Sequence, residues 1–276
     1  MKIKNIILIC IGILFVSVFI FTLTKETKEN NNQIDLPLKG SVMIGDKSYT
    51  TLQEAIDHAK ENDTIDIYSD IDENIVIKNH RFTINGNNFK INALSYIYNE
   101  TSSVKSIIEI IDSNITIKDL TLDGLTGIDE SKPNIGIYIN NSTVELNNIT
   151  ISNINHTINK LSHYPYGTCV YIVNSTSDDN KITLTRCNLI NFHQTGIYIN
   201  NHSDTLLDIE IIGNTIQGIG DTTQIEQRGI VVYGLVRGEI NSNIIKDIKY
   251  LGTTLKNQDI IIIEDDLDLL INNNSN

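Results

Sequence analysis

The sequence predicts an all-β fold, a parallel β-solenoid, from three observations. From residue 64 onward, short runs alternate apolar and polar residues, the period of a strand with one buried face. Five nine-residue windows align without gaps. A motif of the type Gly-Ile-Tyr-Ile stands before each of the later windows.

Composition bounds the chemistry. Ile and Thr favour strands, and the abundant Asn favours turns. The many Asn-x-Ser/Thr triplets, such as Asn114-Ile115-Thr116, follow from that composition and carry little implication of glycosylation. The 21 basic and 34 acidic residues leave a net charge of −13. Such a surface repels nucleic acid and anionic lipid heads, and also uronic acid polymers unless a basic site intervenes. No nucleic-acid partner is therefore expected. Three cysteines make no disulfide framework. Cys169 and Cys187 can pair outside a cell, but both occupy small or inward repeat positions, which favours buried free thiols.

Residues 1–29 read as a signal-anchor. Lys2 and Lys4 precede an uncharged apolar run from Ile6 to Leu23, long enough to cross a bilayer as one helix. The basic flank favours a cytoplasmic N-terminus, a single-pass cell-membrane location and an extracellular remainder. A cleaved signal peptide is the rival, but Phe21-Thr22-Leu23-Thr24 lacks a small-residue cleavage pattern. Leu8-Ile9-Cys10 resembles a lipoprotein site with too little apolar sequence before it. Residues 30–41 read as a linker, and residues 42–276 as one β domain.

That domain opens on one amphipathic helix from Ser48 to Asn62. Leu52, Ala55, Ile56 and Ala59 share a face, Thr51 with Glu54 forms a capping-box pattern, and Asn62 can end it. Strand runs follow at Thr64–Tyr68, Ile75–Ile77 and Phe82–Ile84, and Asn85–Asn88 turns the chain. The windows begin at Ile117, Leu146, Leu184, Ile211 and Ile240. Their first, sixth and ninth positions are large and apolar, and the eighth is Gly, Asn or Asp. The fourth runs Leu120, Ile149, Cys187, Asn214, Asn243. The preceding motifs are Gly136–Ile139, Cys169–Ile172, Gly196–Ile199 and Gly229–Val232, with Ile108–Ile110 before the first window. Each coil then holds a strand, a turn, a second strand, a tight turn, a third strand and a variable loop. Stacked coils bury what one coil cannot. Asn214 and Asn243 suit an inward ladder that satisfies buried turn carbonyls.

The helix with Ala55-Ile56-Asp57-His58-Ala59-Lys60, the Asp63-Thr64-Ile65 entry and the Gly-Ile-Tyr-Ile coils resemble the pectin-lyase-like superfamily over about Val42 to Ile263. The resemblance implies a single right-handed parallel β-helix plugged by its N-terminal helix, a hand that parallel crossovers also prefer. It leaves activity open, since that superfamily holds lyases, hydrolases, epimerases and non-catalytic surface proteins. It implies a substrate groove along the first strand of each coil, walled by the loops before it.

Alternation turns Glu109, Tyr138, Tyr171, Tyr198 and Val231 outward on those first strands, with Ile111, Asn140, Val173, Asn200 and Tyr233 as a second row. A calcium-dependent lyase needs several carboxylates there, and only Glu109 is one. A polygalacturonase-like hydrolase needs close Asp residues, and neither row has a pair. Asp178-Asp179 reads as solvated, and Glu264-Asp265-Asp266 as solvated charge near the C-terminal end. No metal and no cofactor is expected. Glu109, Tyr138, Tyr171 and Tyr198 are the candidate ligand-binding row, with a structural ladder as the alternative. His163, Tyr164, Tyr166, His193, Gln194, Glu226, Gln227 and Arg228 precede the first strands. Among them His163, His193 and Arg228 are the candidates for metal-free proton abstraction. Lys160, Arg186 and Arg237 read as solvated edge charges.

The leading expectation is a membrane-anchored extracytoplasmic β-helix that binds glycans (a polysaccharide or cell-surface glycan) or other cell-surface molecules without demonstrable catalysis. A tethered polysaccharide lyase or glycoside hydrolase is the alternative, and a structural stalk or adhesin is a third reading.

Overall fold

The computed structural model describes residues 41–95, 105–125, 133–155, 166–223, 226–250, 258–263 and 268–275. All belong to the second of two compact units, Lys39–Asn276. The first unit, Met1–Leu38, and with it the expected span at residues 6–23, lies outside the described residues. No helix among the described residues is long and apolar enough to cross a membrane.

Strands β1 (Val42–Ile44) and β2 (Lys47–Tyr49) form an antiparallel hairpin, and β1 also runs antiparallel to β3 (Thr64–Ile67). Three-residue strands alternate too briefly to be read from sequence, so this hairpin is an addition to the expected cap. Helix α1 (Leu52–His58) follows it, with Leu52, Ala55 and Ile56 all 0% exposed. Thr51 caps it as expected, its Oγ1 accepting from the Glu54 N–H at 3.1 Å. Glu54 reaches back one residue further than a capping box requires, accepting from the Thr50 N–H at 2.9 Å. The helix stops at Ala59, short of Asn62. The Asp63 carboxylate takes the Lys60 N–H at 2.8 Å, a local bond that competes with a further helical turn. Hairpin and helix together cover the start of the stack, where a free strand edge would otherwise invite pairing.

Beyond the cap the chain is a parallel β-solenoid of about five turns. One face is a seven-stranded parallel sheet of β5 (Ile75–Lys78), β8 (Ser106–Ile111), β10 (Ile135–Asn140), β12 (Thr168–Asn174), β15 (Thr195–Asn201), β18 (Arg228–Tyr233) and β21 (Gln258–Ile263). The other two faces are one bent sheet. Its first wall stacks β6 (Arg81–Asn85), β9 (Asn114–Asp123), β11 (Thr143–Ile154), β13 (Lys181–Thr185), β16 (Leu207–Ile212), β19 (Val236–Asn241) and β22 (Asp268–Asn272). Its second wall stacks β4 (Ile71–Asp72), β7 (Lys90–Asn92), the far ends of β9 and β11, then β14 (Asn188–Phe192), β17 (Thr215–Thr222) and β20 (Ile244–Tyr250).

The five windows stack in register as the repeat predicts. Ile117, Leu146, Leu184, Ile211 and Ile240 are successive partners, and so are Leu122, Ile151, Leu189, Ile216 and Ile245. These ten side chains are almost fully buried in one continuous core. The ninth position is less regular: Leu125 already lies past the end of β9, at φ +69°. Between β17 and β20 the register slips after Gln217, so Gly220 faces Ile248 and Ile219 is left 38% exposed. The buried Gln227 side chain causes the slip. It accepts from the Ile219 N–H at 2.7 Å and donates to the Gly220 carbonyl at 2.8 Å, replacing ladder bonds.

The third window position makes the corner between the two walls. Asp119, Asn148, Arg186, Gly213 and Ser242 all adopt positive φ, from +53° to +66°. A one-residue corner needs that left-handed backbone, which Asp, Asn and Gly tolerate best. The glycine of the Gly-Ile-Tyr-Ile motif has a different cause. A Cβ at Gly136 would lie 2.5 Å from the Cys169 carbonyl oxygen and 2.6 Å from an Ile151 methyl.

Candidate functional site

The outer face of the seven-stranded sheet carries the expected row. Val76, Glu109, Tyr138, Tyr171, Tyr198, Val231 and Ile261 are successive partners across it. Their neighbours Ile108, Ile110, Ile137 and Ile139 fill the core, which turns this row outward. Glu109 and the three tyrosines are half-buried. Val231 holds the outward register yet is 1% exposed, so the accessible row ends at Tyr198.

The rings touch. Tyr138 and Tyr171 lie 5.4 Å apart between centroids at 45°, and Tyr171 and Tyr198 lie 5.5 Å apart at 78°. Edge-to-face contact lets the positive edge of one ring meet the negative face of the next. The pile therefore stabilises the sheet, and the three faces do not share a plane. Burial raises the Glu109 carboxyl above its ordinary range, against the pull of Lys78. Burial, then Tyr171 and Glu109, push the Tyr138 phenol up to about 12. Tyr138 therefore keeps its proton at neutral pH.

The second row is mixed. Ile111, Asn140, Val173 and Asn200 are half-buried, while Tyr233 is 37% exposed and lies near the His202 ring, centroids 6.5 Å apart.

His193 is only 9% exposed. Arg228 pairs with Glu226 at 3.0 Å, so its charge is matched locally. Gln227 is the buried staple described above. His163, Tyr164, Lys160 and Glu264-Asp265-Asp266 lie outside the described residues. Tyr166 and Gln194 are partly buried beside the first strands. Asp178 and Asp179 are exposed. Arg186 donates to Asn147 at 2.6 Å and Arg237 pairs with Asp208, so both edge cations are engaged. No cluster of three metal-ligating side chains occurs among the described residues.

The thiols of Cys169 and Cys187 are free and buried. Burial pushes Cys187 up to about 11 and raises Cys169 well above its ordinary value, which keeps both unreactive.

The inward asparagines form the expected ladder. Asn243 Oδ1 accepts from the N–H and the side-chain amide of Asn214, at 3.0 and 2.9 Å. Asn214 Oδ1 accepts from the Cys187 N–H at 2.8 Å. The step the sequence reading missed is Asn274, whose Oδ1 accepts from Asn243 in the same way. The run Ile271-Asn272-Asn273-Asn274 repeats the first four window positions and could have disclosed it.

No family profile, curated protein or solved structure matches this chain.

Proposed function

We propose that this protein is a membrane-tethered, extracytoplasmic right-handed β-helix, akin to the pectin-lyase-like superfamily, whose tyrosine row binds a neutral glycan without chemical turnover. The observation that carries the reading is the row itself: three half-buried tyrosines on consecutive coils of an outer face, with Glu109 at one end. Each ring offers an apolar body and a hydroxyl, the pairing that sugar rings engage. The net charge of −13 and the neutralised Arg228 favour an uncharged chain over a polyuronate. Three such contacts, less the ordering cost of the sugar chain, give weak affinity, on the order of millimolar.

The test is ligand-observed NMR with cellohexaose and maltohexaose on the full chain. Wild type binds at least one of them, and the variant Tyr138→Ala, Tyr171→Ala, Tyr198→Ala binds neither while keeping its circular dichroism. A triple Tyr→Leu variant retains more buried apolar volume should the alanine variant fail to fold. Undiminished binding by a folded triple variant, or no binding by wild type, overturns the reading. Membrane tethering is read separately, by protease shaving of intact cells, which removes residues 30–276 if they face outside.

A further inference from the structure

We propose that the open trough along the first turn of the N-terminal coils is a hydrogen-bonding seat for a neutral, hydroxyl-rich chain. The seat stands on a hydrogen-bond pattern, and the choice of a glycan as its ligand rests on the reading above.

Asn79, Asp112 and Asn141 occupy the same point of three consecutive coils, with φ of +59°, +47° and +49°. Their N–H groups donate to Ile111, Asn140 and Val173 carbonyls of the following coil, at 3.1, 3.1 and 3.0 Å. Backbone pairing thus holds the row in place, one side chain per coil, about 4.8 Å apart. The row borders a trough of about 710 Å³, shared with His80, Asn114 and Asp178.

At four places elsewhere on the surface, polar side chains pair with the coil beside them. Asn148 donates to Asp119 at 2.7 Å, Asn153 to Asp123 at 2.8 Å, Asn92 to Asp72 at 2.7 Å and Gln217 to Asp247 at 2.8 Å. In the trough this pairing stops. The side chains of Asn79, Asp112 and Asn114 have no hydrogen-bond partner among the described residues, although Asn79 and Asp112 stand on adjacent coils. Asn141 accepts only from the Ser175 N–H, at 2.8 Å. An amide, a carboxylate and a second amide therefore present free donors and acceptors at coil spacing. The half-buried His80 ring, against Phe82 at 5.4 Å, adds a polar edge.

Charge selects the ligand. The Arg81–Glu61 pair at 3.3 Å neutralises itself, leaving Asp112 and Asp178 as unpaired acids. Anionic chains are repelled, whereas a carboxylate accepts hydroxyl donors with charge-assisted bonds. Asp112 follows Glu109 by three residues and Asn141 follows Tyr138 by three, each at the turn just past its strand and so within about 10 Å of chain. One oligosaccharide can therefore touch both the trough and the tyrosine row.

The experiment titrates the full chain with cellohexaose, maltohexaose and hexagalacturonate while following His80 and tyrosine ring signals separately by NMR. The variant pair is Asp112→Asn with Asn79→Gly, since Asn and Gly both tolerate the left-handed backbone. A neutral hexasaccharide is expected to move the His80 signal, and the double variant to bind it about five-fold more weakly. A silent His80 with moving tyrosine signals, or wild-type affinity in the double variant, sinks the trough and leaves the tyrosine reading intact. A moving His80 with silent tyrosines supports the trough and sinks the tyrosine reading. Hexagalacturonate moving His80 more than the neutral sugars overturns the neutral ligand, and silence with all three probes overturns both proposals.

Discussion

The corner between the two walls of the bent sheet is closed in two ways along one solenoid. In β9 and β11 the strand runs through the corner, and Leu120 pairs with Ile149 as an ordinary ladder position. In the next three coils the strand breaks there, between β13 and β14, β16 and β17, β19 and β20. In those coils the backbone N–H of Cys187, Asn214 and Asn243 is taken by the side chain of Asn214, Asn243 and Asn274 respectively. The left-handed residue before the corner is common to both kinds. What differs is the fourth residue of the following coil, which decides whether backbone or side chain satisfies the corner: Ile149 and Cys187 follow the continuous strands, and Asn214, Asn243 and Asn274 follow the broken ones. An apolar residue lets the strands continue; an inward amide replaces a missing rung and ties two coils together.

The largest expected effect is on the amide side of this comparison. Asn243→Leu strips a partner from the Asn214 N–H and from the Ile211 carbonyl, both in the core, and takes one of two donors from Asn274 Oδ1. It is expected to lower stability by about 3 kcal/mol in urea melts. A loss below about 1 kcal/mol would mean that the corner closes without the ladder.

The converse change is Leu120→Asn, at a position 2% exposed where the rung is already made by the backbone. Its amide has no vacant rung to fill, and the cost is expected to be about 2 kcal/mol. If the variant is as stable as wild type, either residue suits either kind of corner and the contrast collapses.

Arg186→Gly tests the feature both corners share. Arg186 sits at φ +55°, where a side chain costs about 1 kcal/mol. Glycine removes that strain, gives up an exposed bond to Asn147 and adds unfolded-state entropy. The net gain is expected near 0.5 kcal/mol; a clear loss by thermal melting would place the value of Arg186 in its side-chain contacts.

The smallest effect concerns Glu109. Its carboxyl is raised by burial, so the fold favours the protonated form. Wild-type stability from this group is therefore full below the ordinary carboxylate value and declines as pH rises through the raised one. Glu109→Gln does not titrate and escapes that decline. The variant should melt slightly higher than wild type at pH 7, and the gap should vanish below about pH 4. Half exposure screens the effect. A gap that stays constant from pH 3 to pH 8 would trace it to packing.

Much of this was legible in the order of residues. The period of two, the recurring large residues at window positions one and six, and the inward Asn214 and Asn243 all state their role by type and spacing, because stacked coils repeat one environment. The face of Tyr138, Tyr171 and Tyr198 followed from the same alternation. Less was legible where residue type varies while conformation does not: Asp119, Asn148, Arg186, Gly213 and Ser242 share a backbone state that no common side chain announces. The end of the helix at Ala59 was hidden too, because the Asp63 side chain competes for it.

By itself, then, the sequence determined the coil repeat, the core-facing rows and the outward tyrosines, since alternation and repeat length act locally and recur. Only the tertiary structure decided how neighbours across coils use their freedom. It tilted the tyrosine rings against one another, slipped the register at Ile219 through a buried Gln227, and covered Val231. It paired Asn148 with Asp119 while leaving Asn79 and Asp112 open. Each of these depends on a partner some 8 to 33 residues away, and the choice among such partners is made by geometry that no single coil contains.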